Sequence, residues 1–326
     1  MTPGLAGSLK FGQPLFHGLV FSLENKFNRH SRSVGNRSRH ASHRVPIVGL
    51  ILTGPPERRI ADPEWGEFLC GASDACLHLG FQLRLVGAAG KAPDQLSLRL
   101  LERDACDGYI LFGGTTCNAP TLEAWPEDFS TPVVLFGVPP GRTSKLQALL
   151  EIDHEAALRQ AFDYLDALGH HRLSAFFSGR SAEAFRDHSP SDLDVEVHAD
   201  VLTERQAFRR AMVLLETSPP PTAFLTSSPI LAIGIRRALE GCGLTLGRDV
   251  SIITFDPSIS MLGGTDMAPA FTCIRYSAQE AGSRSVELFA ALLSSRHEDT
   301  LFDTMTPKLV IGPSTGPLLG KKSHEH

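Results

Sequence analysis

Two short stretches have residue types and spacings that suggest chemistry. GPSTG at 312–316 has the G-x-S-x-G form, in which a serine on a sharp strand-to-helix turn presents its hydroxyl as a nucleophile. The rest of that machine is missing. An acid and then a histidine must follow in the chain, only ten residues remain, and Pro313 sits inside the turn itself. LGHHR at 168–172 pairs two histidines after a helix. A metal site needs further ligands at fixed spacing and none is evident, so the pair reads as cationic side chains near the negative end of a helix dipole. No P-loop, no G-x-G-x-x-G after a strand and no H-E-x-x-H occurs. Six cysteines (Cys70, Cys76, Cys106, Cys117, Cys242 and Cys273) show neither Cys-x-x-Cys nor zinc spacing, and most are expected to pack as small hydrophobes in a reducing compartment. No catalytic residue, metal or cofactor is expected.

Positions at strand ends say more. ADPEW at 61–65 follows the first apolar strand, and Trp65 is one of two tryptophans in the chain. Its ring either caps a core or stacks on a flat apolar ligand face of the kind sugars offer. FDP at 255–257 puts Asp256 at the carboxyl edge of a strand, where it either accepts paired hydroxyl groups or caps a turn.

The elements that would position these residues alternate from Val45 onward. VPIVGLILTG, FQLRLVGA, CDGYILFGG and TPVVLFGV read as buried strands; EFLCGASDACLHLG and DQLSLRLLERDA read as helices. After EIDHEAA come helix DHEAALRQAFDYLDALG, strand RLSAFFSG, helix TERQAFRRAMVLLETS, strand PTAFLTS, helix ILAIGIRRALEGCG and strand DVSIITFD. Short apolar strands alternating with helices of about ten to sixteen residues indicate parallel sheets built from right-handed βαβ units. Gly80, Gly169 and Gly243 stop the helices. There are too many strands for one sheet, so a division near 151–157 is expected, giving two doubly wound, Rossmann-like subdomains with a hinged ligand cleft between their carboxyl edges. Residues 178–200 are polar, broken by Pro190, and read as too short for a helix with its loops.

With 42% hydrophobic and 21% charged residues the chain has the composition of a globular protein with a real core. No apolar run reaches the roughly 20 residues that span a bilayer, and LFHGLVFSL at 15–23 is interrupted by His17 and Gly18, so a cytoplasmic protein with no membrane partner is expected. The net charge of -5 is unevenly spread. KFNRHSRSVGNRSRHASHR at 26–44 holds six Lys/Arg and no carboxylate, and residues 1–25 balance, so removing those six charges leaves about -11 on the body. A polyanion would meet the basic arm; a disordered basic leader explains the charge equally well.

In this order the blocks VGLIL, CDGYILFG, TPVVLFG, LGHHRL, GRDVSIITFD and LVIGPSTGPL resemble LacI/GalR-type bacterial transcription regulators from about Val45 to Leu318. The resemblance implies a periplasmic-binding-protein-like type I fold: a basic DNA-binding and hinge segment at 1–44, a first subdomain at 45–153 plus about 277–305, a second at 154–276 plus about 306–318, and a tail at 319–326. It also implies a sugar-like effector contacted by Asp62, Trp65, Arg180, Arg186, Ser228 and Asp256, DNA contacted by Arg29, Arg32, Arg37 and Arg39, and a homodimer. Three departures stand out. Ser228-Pro229 replaces the family's Asn-Asp, and no Gly-aromatic helix accompanies Arg180 or Arg186. Residues 5–20 echo a helix-turn-helix only faintly, with Gly12, His17 and Gly18 where DNA-facing residues belong. A truncated, mis-started or decayed reading head is the expectation there. The function implied is a repressor sensing a small polar effector; the alternative is a binding protein of the same fold that no longer reads DNA specifically.

Overall fold

The structure, a computed structural model, describes residues 44–52, 63–86, 106–113, 131–137, 146–177, 179–259, 268–294 and 300–318. Two six-stranded sheets organise it. The first comprises β1 (Ile47–Leu52), β2 (Gln82–Val86), β3 (Gly108–Phe112), β4 (Val133–Phe136), β5 (Gln147–Ile152) and, from far along the chain, β11 (Leu301–Met305). The second holds β6 (Arg172–Phe176), β7 (Asp194–His198), β8 (Ala223–Thr226), β9 (Ser251–Asp256), β10 (Thr272–Arg275) and β12 (Lys308–Val310). The described helices are α1 (Pro63–Leu79), α2 (His154–Ala167), α3 (Gly179–His188), α4 (Glu204–Leu215), α5 (Pro229–Gly241) and α6 (Ala278–Ser294).

The strand orders are β2-β1-β3-β4-β5-β11 and β7-β6-β8-β9-β10-β12, so the two sheets repeat one winding pattern. Every pairing is parallel except β10 with β12. The central strands β3 and β4 are buried at every position, as parallel strands covered on both faces must be. Helix starts follow local rules. Asp153 accepts the Ala156 N–H at 2.9 Å, Thr203 accepts the Gln206 N–H while the Gln206 side chain accepts the Leu202 N–H, and Pro229 opens α5 where its missing N–H costs nothing. The stops at Gly80, Gly169 and Gly243 have positive φ, as expected.

Two expectations need comment. The helix expected at 94–105 lies outside the described residues. The stretch 178–200 does form a helix and a strand, α3 and β7. It looked unstructured because α3 is held by few apolar residues, chiefly Ala182 and Phe185, whose ring packs on Phe162 and Phe177 at 5.2 and 4.8 Å. As an edge strand, β7 exposes alternate residues, so it never shows a continuous apolar run.

The return of the chain to the first sheet rests on α1 and α6. The Tyr276 hydroxyl donates to Glu64 (2.7 Å), the Gln279 amide to Glu67 (2.7 Å) and the Ser283 hydroxyl to the Gly71 carbonyl (3.0 Å). Each pair is 212 residues apart, so the helices run parallel in fixed register. They approach closely enough that a Cβ on Gly71 would fall 1.8 Å from the Gln279 carbonyl oxygen, and one on Gly282 2.1 Å from that of Phe68. Backbone cannot yield as a side chain does, so Gly71→Ala should cost about 1–3 kcal/mol or more. Gly66, one turn earlier, has open space around its Cβ position, and Gly66→Ala should be neutral or stabilising by up to about 1 kcal/mol. Paired denaturant titrations check this; equal effects at the two sites would contradict the close helix contact.

Candidate functional site

Three segments cross between the sheets: Asp153, Tyr276–Ser277 and Thr306–Pro307. The first joins the carboxyl end of β5 to α2 over the second sheet, and the next joins the carboxyl end of β10 to α6 over the first. The last joins the carboxyl end of β11 to β12, which runs back antiparallel from the carboxyl end of β10. All three leave from carboxyl edges, so those edges are the ones the connections draw together. Ligands of open α/β sheets bind outside the same edges.

Aromatic rings gather there. Trp65, in the first turn of α1, packs on Phe112 at 5.4 Å; Phe112 meets Phe68 at 4.8 Å, and Phe68 stacks on Phe136 at 5.3 Å. Phe112 and Phe136 are the last residues of β3 and β4. In the second sheet Phe255, next to the end of β9, meets Phe177 edge-on at 5.5 Å and lies 6.1 Å from the ring of His154. Trp65 is 6% exposed, so its ring belongs to this stack as well as to the edge. Only Trp65 was singled out from the sequence. The signal for the others was present in ILFG, VLFG, AFFSG and ITFD, four strands with phenylalanine at the last or next-to-last position.

Asp256 is 9% exposed and held on all sides. Its Oδ2 receives Arg275 Nε and terminal nitrogen, both at 3.1 Å, and its Oδ1 accepts the Ser258 N–H at 2.9 Å. The turn-capping role is therefore realised, with Ser258 at φ +60° and its hydroxyl donating to the Tyr276 carbonyl at 2.8 Å. Asp256 and Arg275 line a cavity of about 400 Å³ together with Thr254, Phe271 and, from α5, Ile233 and Arg237. Cys273, beneath them, has its thiol pushed up to about 12, first by burial and then by the Asp256 charge. Ser228 stands at the start of α5 without making a capping bond, so its hydroxyl is not committed to the helix. Arg186 is exposed on α3, and Arg180 lies on the first turn of the same helix. Asp62 and the four arm arginines, Arg29, Arg32, Arg37 and Arg39, lie outside the described residues.

The stretches that resembled catalytic or metal motifs meet elsewhere, in one hydrogen-bonded staple. Ser314 is fully buried, donating to the Ile252 carbonyl (2.6 Å) and accepting the Thr272 N–H (2.7 Å). Its hydroxyl is structural, not a nucleophile. His170 Nε2 lies 3.0 Å from the Gly316 carbonyl and 2.8 Å from the Ser251 hydroxyl. A carbonyl can only accept, so Nε2 carries the proton and the buried Nδ1 is left without a partner. Burial holds His170 below its ordinary value, so it is neutral here; the exposed His171 lies 3.3 Å from Asp166. Cysteine packing also divides. Cys76 and Cys273 are buried, whereas Cys70 and Cys242 are exposed. Among the described residues no three His, Cys, Asp or Glu side chains converge as a metal requires.

A doubly wound pair of lobes joined by three crossovers defines the periplasmic-binding-protein-like class, and residues 162–315 match the family model described as periplasmic binding protein-like domain. Over most of its length the chain is similar in sequence to HTH-type transcriptional regulators. The HTH-type transcriptional regulator AglR of Rhizobium meliloti is 26% identical over 303 positions, covering 88% of this chain and 84% of the relative. The HTH-type transcriptional repressor MelR of Bacillus subtilis is 25% identical over 295 positions, covering 85% and 82%. Among solved structures, a LacI family regulator from Enterococcus faecium with bound ribose superposes with a TM-score of 0.64 at 19% identity, covering 84% of this chain and all of that one. The lac repressor dimer bound to operator and an anti-inducer gives 0.64 at 17%, covering 86% and all of it.

Two predictions follow from the charges. Arg275→Met leaves the buried Asp256 carboxylate unpaired and should cost about 3–5 kcal/mol, whereas the double change with Asp256→Leu should cost less than the single one; additive losses in chemical denaturation would contradict the pairing. His170 has a lowered folded-state value, so the unfolded chain binds the extra proton first. Stability is complete above about pH 6.5 and falls as pH drops through it. Melting temperatures at pH 7.5 and 5.5 should diverge less in His170→Gln than in the wild type; equal divergence would remove His170 from the effect.

Proposed function

We propose that this protein is a cytoplasmic transcriptional regulator, acting as a repressor, that senses a small polar molecule of the carbohydrate class between its lobes and has no catalytic activity of its own. The observation that carries this reading is the pairing of an aromatic floor, Trp65 with Phe112 and Phe68, with polar groups at the facing carboxyl edges. Sugar rings present C–H faces to aromatic rings and hydroxyls to carboxylates and hydroxyls, which suits Trp65 on one side and Ser228 and Asp256 on the other. Asp62, Arg180 and Arg186 complete the proposed contacts. Homology to HTH-type regulators over most of the chain supports the regulatory role. Closure of the lobes around the effector changes the spacing of two basic arms in a homodimer, and Arg29, Arg32, Arg37 and Arg39 meet the DNA backbone. Among the described residues no helix is long and apolar enough to cross a membrane.

Gly12, His17 and Gly18, ahead of the basic arm, favour a second reading, a sugar-binding protein whose arm makes only salt-sensitive phosphate contacts. Two measurements separate the readings. A thermal-shift panel that includes ribose and lactose should raise the wild-type melting temperature and fail to raise that of Asp256→Ala; a panel without any shift removes the sugar sensor. Binding to the DNA upstream of its own gene and to random duplex is then compared across a salt series. The regulator binds its own site more tightly throughout, whereas equal affinities that vanish together leave the second reading. Replacing the four arm arginines with alanine should flatten the slope of log affinity against log salt by roughly 3 to 4 per arm.

A further inference from the structure

We propose that Tyr276 is a clamp on the hinge, with its backbone tied to the second lobe and its hydroxyl to the first, and that its bond to Glu64 sets the resting opening of the cleft. The proposal rests on the two-lobed sensing reading above and adds the element that regulates it.

Tyr276 is the first residue beyond β10. Its N–H continues the β9–β10 ladder by donating to the Asp256 carbonyl at 3.1 Å, and its own carbonyl accepts the Ser258 hydroxyl at 2.8 Å. Both bonds belong to the second sheet. Its side chain turns the other way, is 5% exposed, and donates to Glu64 in the first turn of α1 at 2.7 Å. Glu64 is itself 3% exposed, an unusual place for a carboxylate. A hydrogen bond to a buried acid is among the stronger ones, and its loss leaves a desolvated group behind. Ser258, at positive φ without being glycine, is held by the same cluster through Asp256 and Tyr276, which is how strained residues are kept at switch sites.

The other two crossovers are tied differently. Asp153 N–H donates to the Met305 carbonyl at 2.9 Å, within the first lobe. Gln160 of α2 grips the third crossover with both ends of its amide, donating to the Pro307 carbonyl (3.1 Å) and accepting the Leu309 N–H (3.0 Å). Asp153 also touches both lobes, through its N–H on Met305 and its carboxylate on Ala156 of α2, but that side-chain bond is a local helix cap; the Tyr276 side chain instead reaches a residue 212 positions away in the other lobe. Rotation of the lobes must therefore turn the backbone at Tyr276–Ser277 while the ring stays anchored, or must break the Glu64 bond.

The test uses the full-length protein without any ligand, so its outcome is independent of whether a sugar is found. Hydrogen exchange is compared at the amides of Asp153, Tyr276 and Leu309 and at those of the core strands β3 and β9. Tyr276→Phe removes only the hydroxyl and should speed exchange at all three crossovers about tenfold, leaving β3 and β9 unchanged. Glu64→Gln keeps an acceptor for the hydroxyl and should stay within about threefold of wild type. Faster exchange confined to α1 and α6 would reduce the bond to helix packing and overturn the clamp. A uniform rise that includes β3 and β9 would mark general destabilisation and overturn it equally.

Discussion

The backbone of α1 lies against the backbone of α6 at Gly71 and Gly282, and this contact holds the first lobe closed over a long detour. Between the two helices the chain leaves the first sheet, builds most of the second, and returns. No side chain could bridge that approach; the two glycines and three polar rungs at a constant separation fix it. The uppermost rung is Tyr276 with Glu64, so the packing that completes the lobe also reaches the hinge. The first turn of α1 then places Trp65 against the ends of β3 and β4. One helix pair thus connects fold, cleft floor and crossover.

The second lobe is secured at its opposite end. His170, Ser251, Thr272, Ser314 and Gly316 come from four separate places in the chain and form one hydrogen-bonded staple that pins the final segment beneath the sheet. Gly247 and Gly316 are also packed too closely for a Cβ. Histidine, serine and threonine at such spacing invite a catalytic reading, yet their hydroxyls are spent on backbone carbonyls and amides. This physical reason explains why LGHHRL, GRDVS and GPSTG mark the fold more strongly than they mark a ligand.

Much of this was legible in the sequence, because parallel strands covered on both faces must be continuous apolar runs and their helices must end where glycine allows a left-handed turn. The alternation could be read on that basis from β1 to β4 and again through β6, β8 and β9, whereas β5, though buried, went unread. It failed where the physics gives no periodic signal. β7 and β11 are edge strands with every other residue exposed, β12 has three residues, and α3 is held chiefly by Ala182 and Phe185. α6 went unread because its partner helix lies 212 residues away, and β10 because it has only four residues. Among the residues at the carboxyl edges, Trp65 and Asp256 were singled out in the sequence by their place after strands. Arg275 and Tyr276 were missed, since nothing local distinguishes a residue whose partner is fixed only by the crossover. The turn role of Asp256 and its carboxyl-edge position coexist, a combination that spacing alone could not separate.

The central claim is that the effector lies against the aromatic floor between the lobes, and the intrinsic fluorescence of Trp65 tests it most directly. With Trp65 and Trp125 the only tryptophans, Trp65→Phe isolates the contribution of the floor. Titration with a sugar that raises the melting temperature should change the wild-type emission saturably, and the change should disappear in Trp65→Phe while the thermal shift persists in weakened form. An emission unchanged at saturating sugar, or a change fully retained in Trp65→Phe, would place the ligand elsewhere and contradict the account.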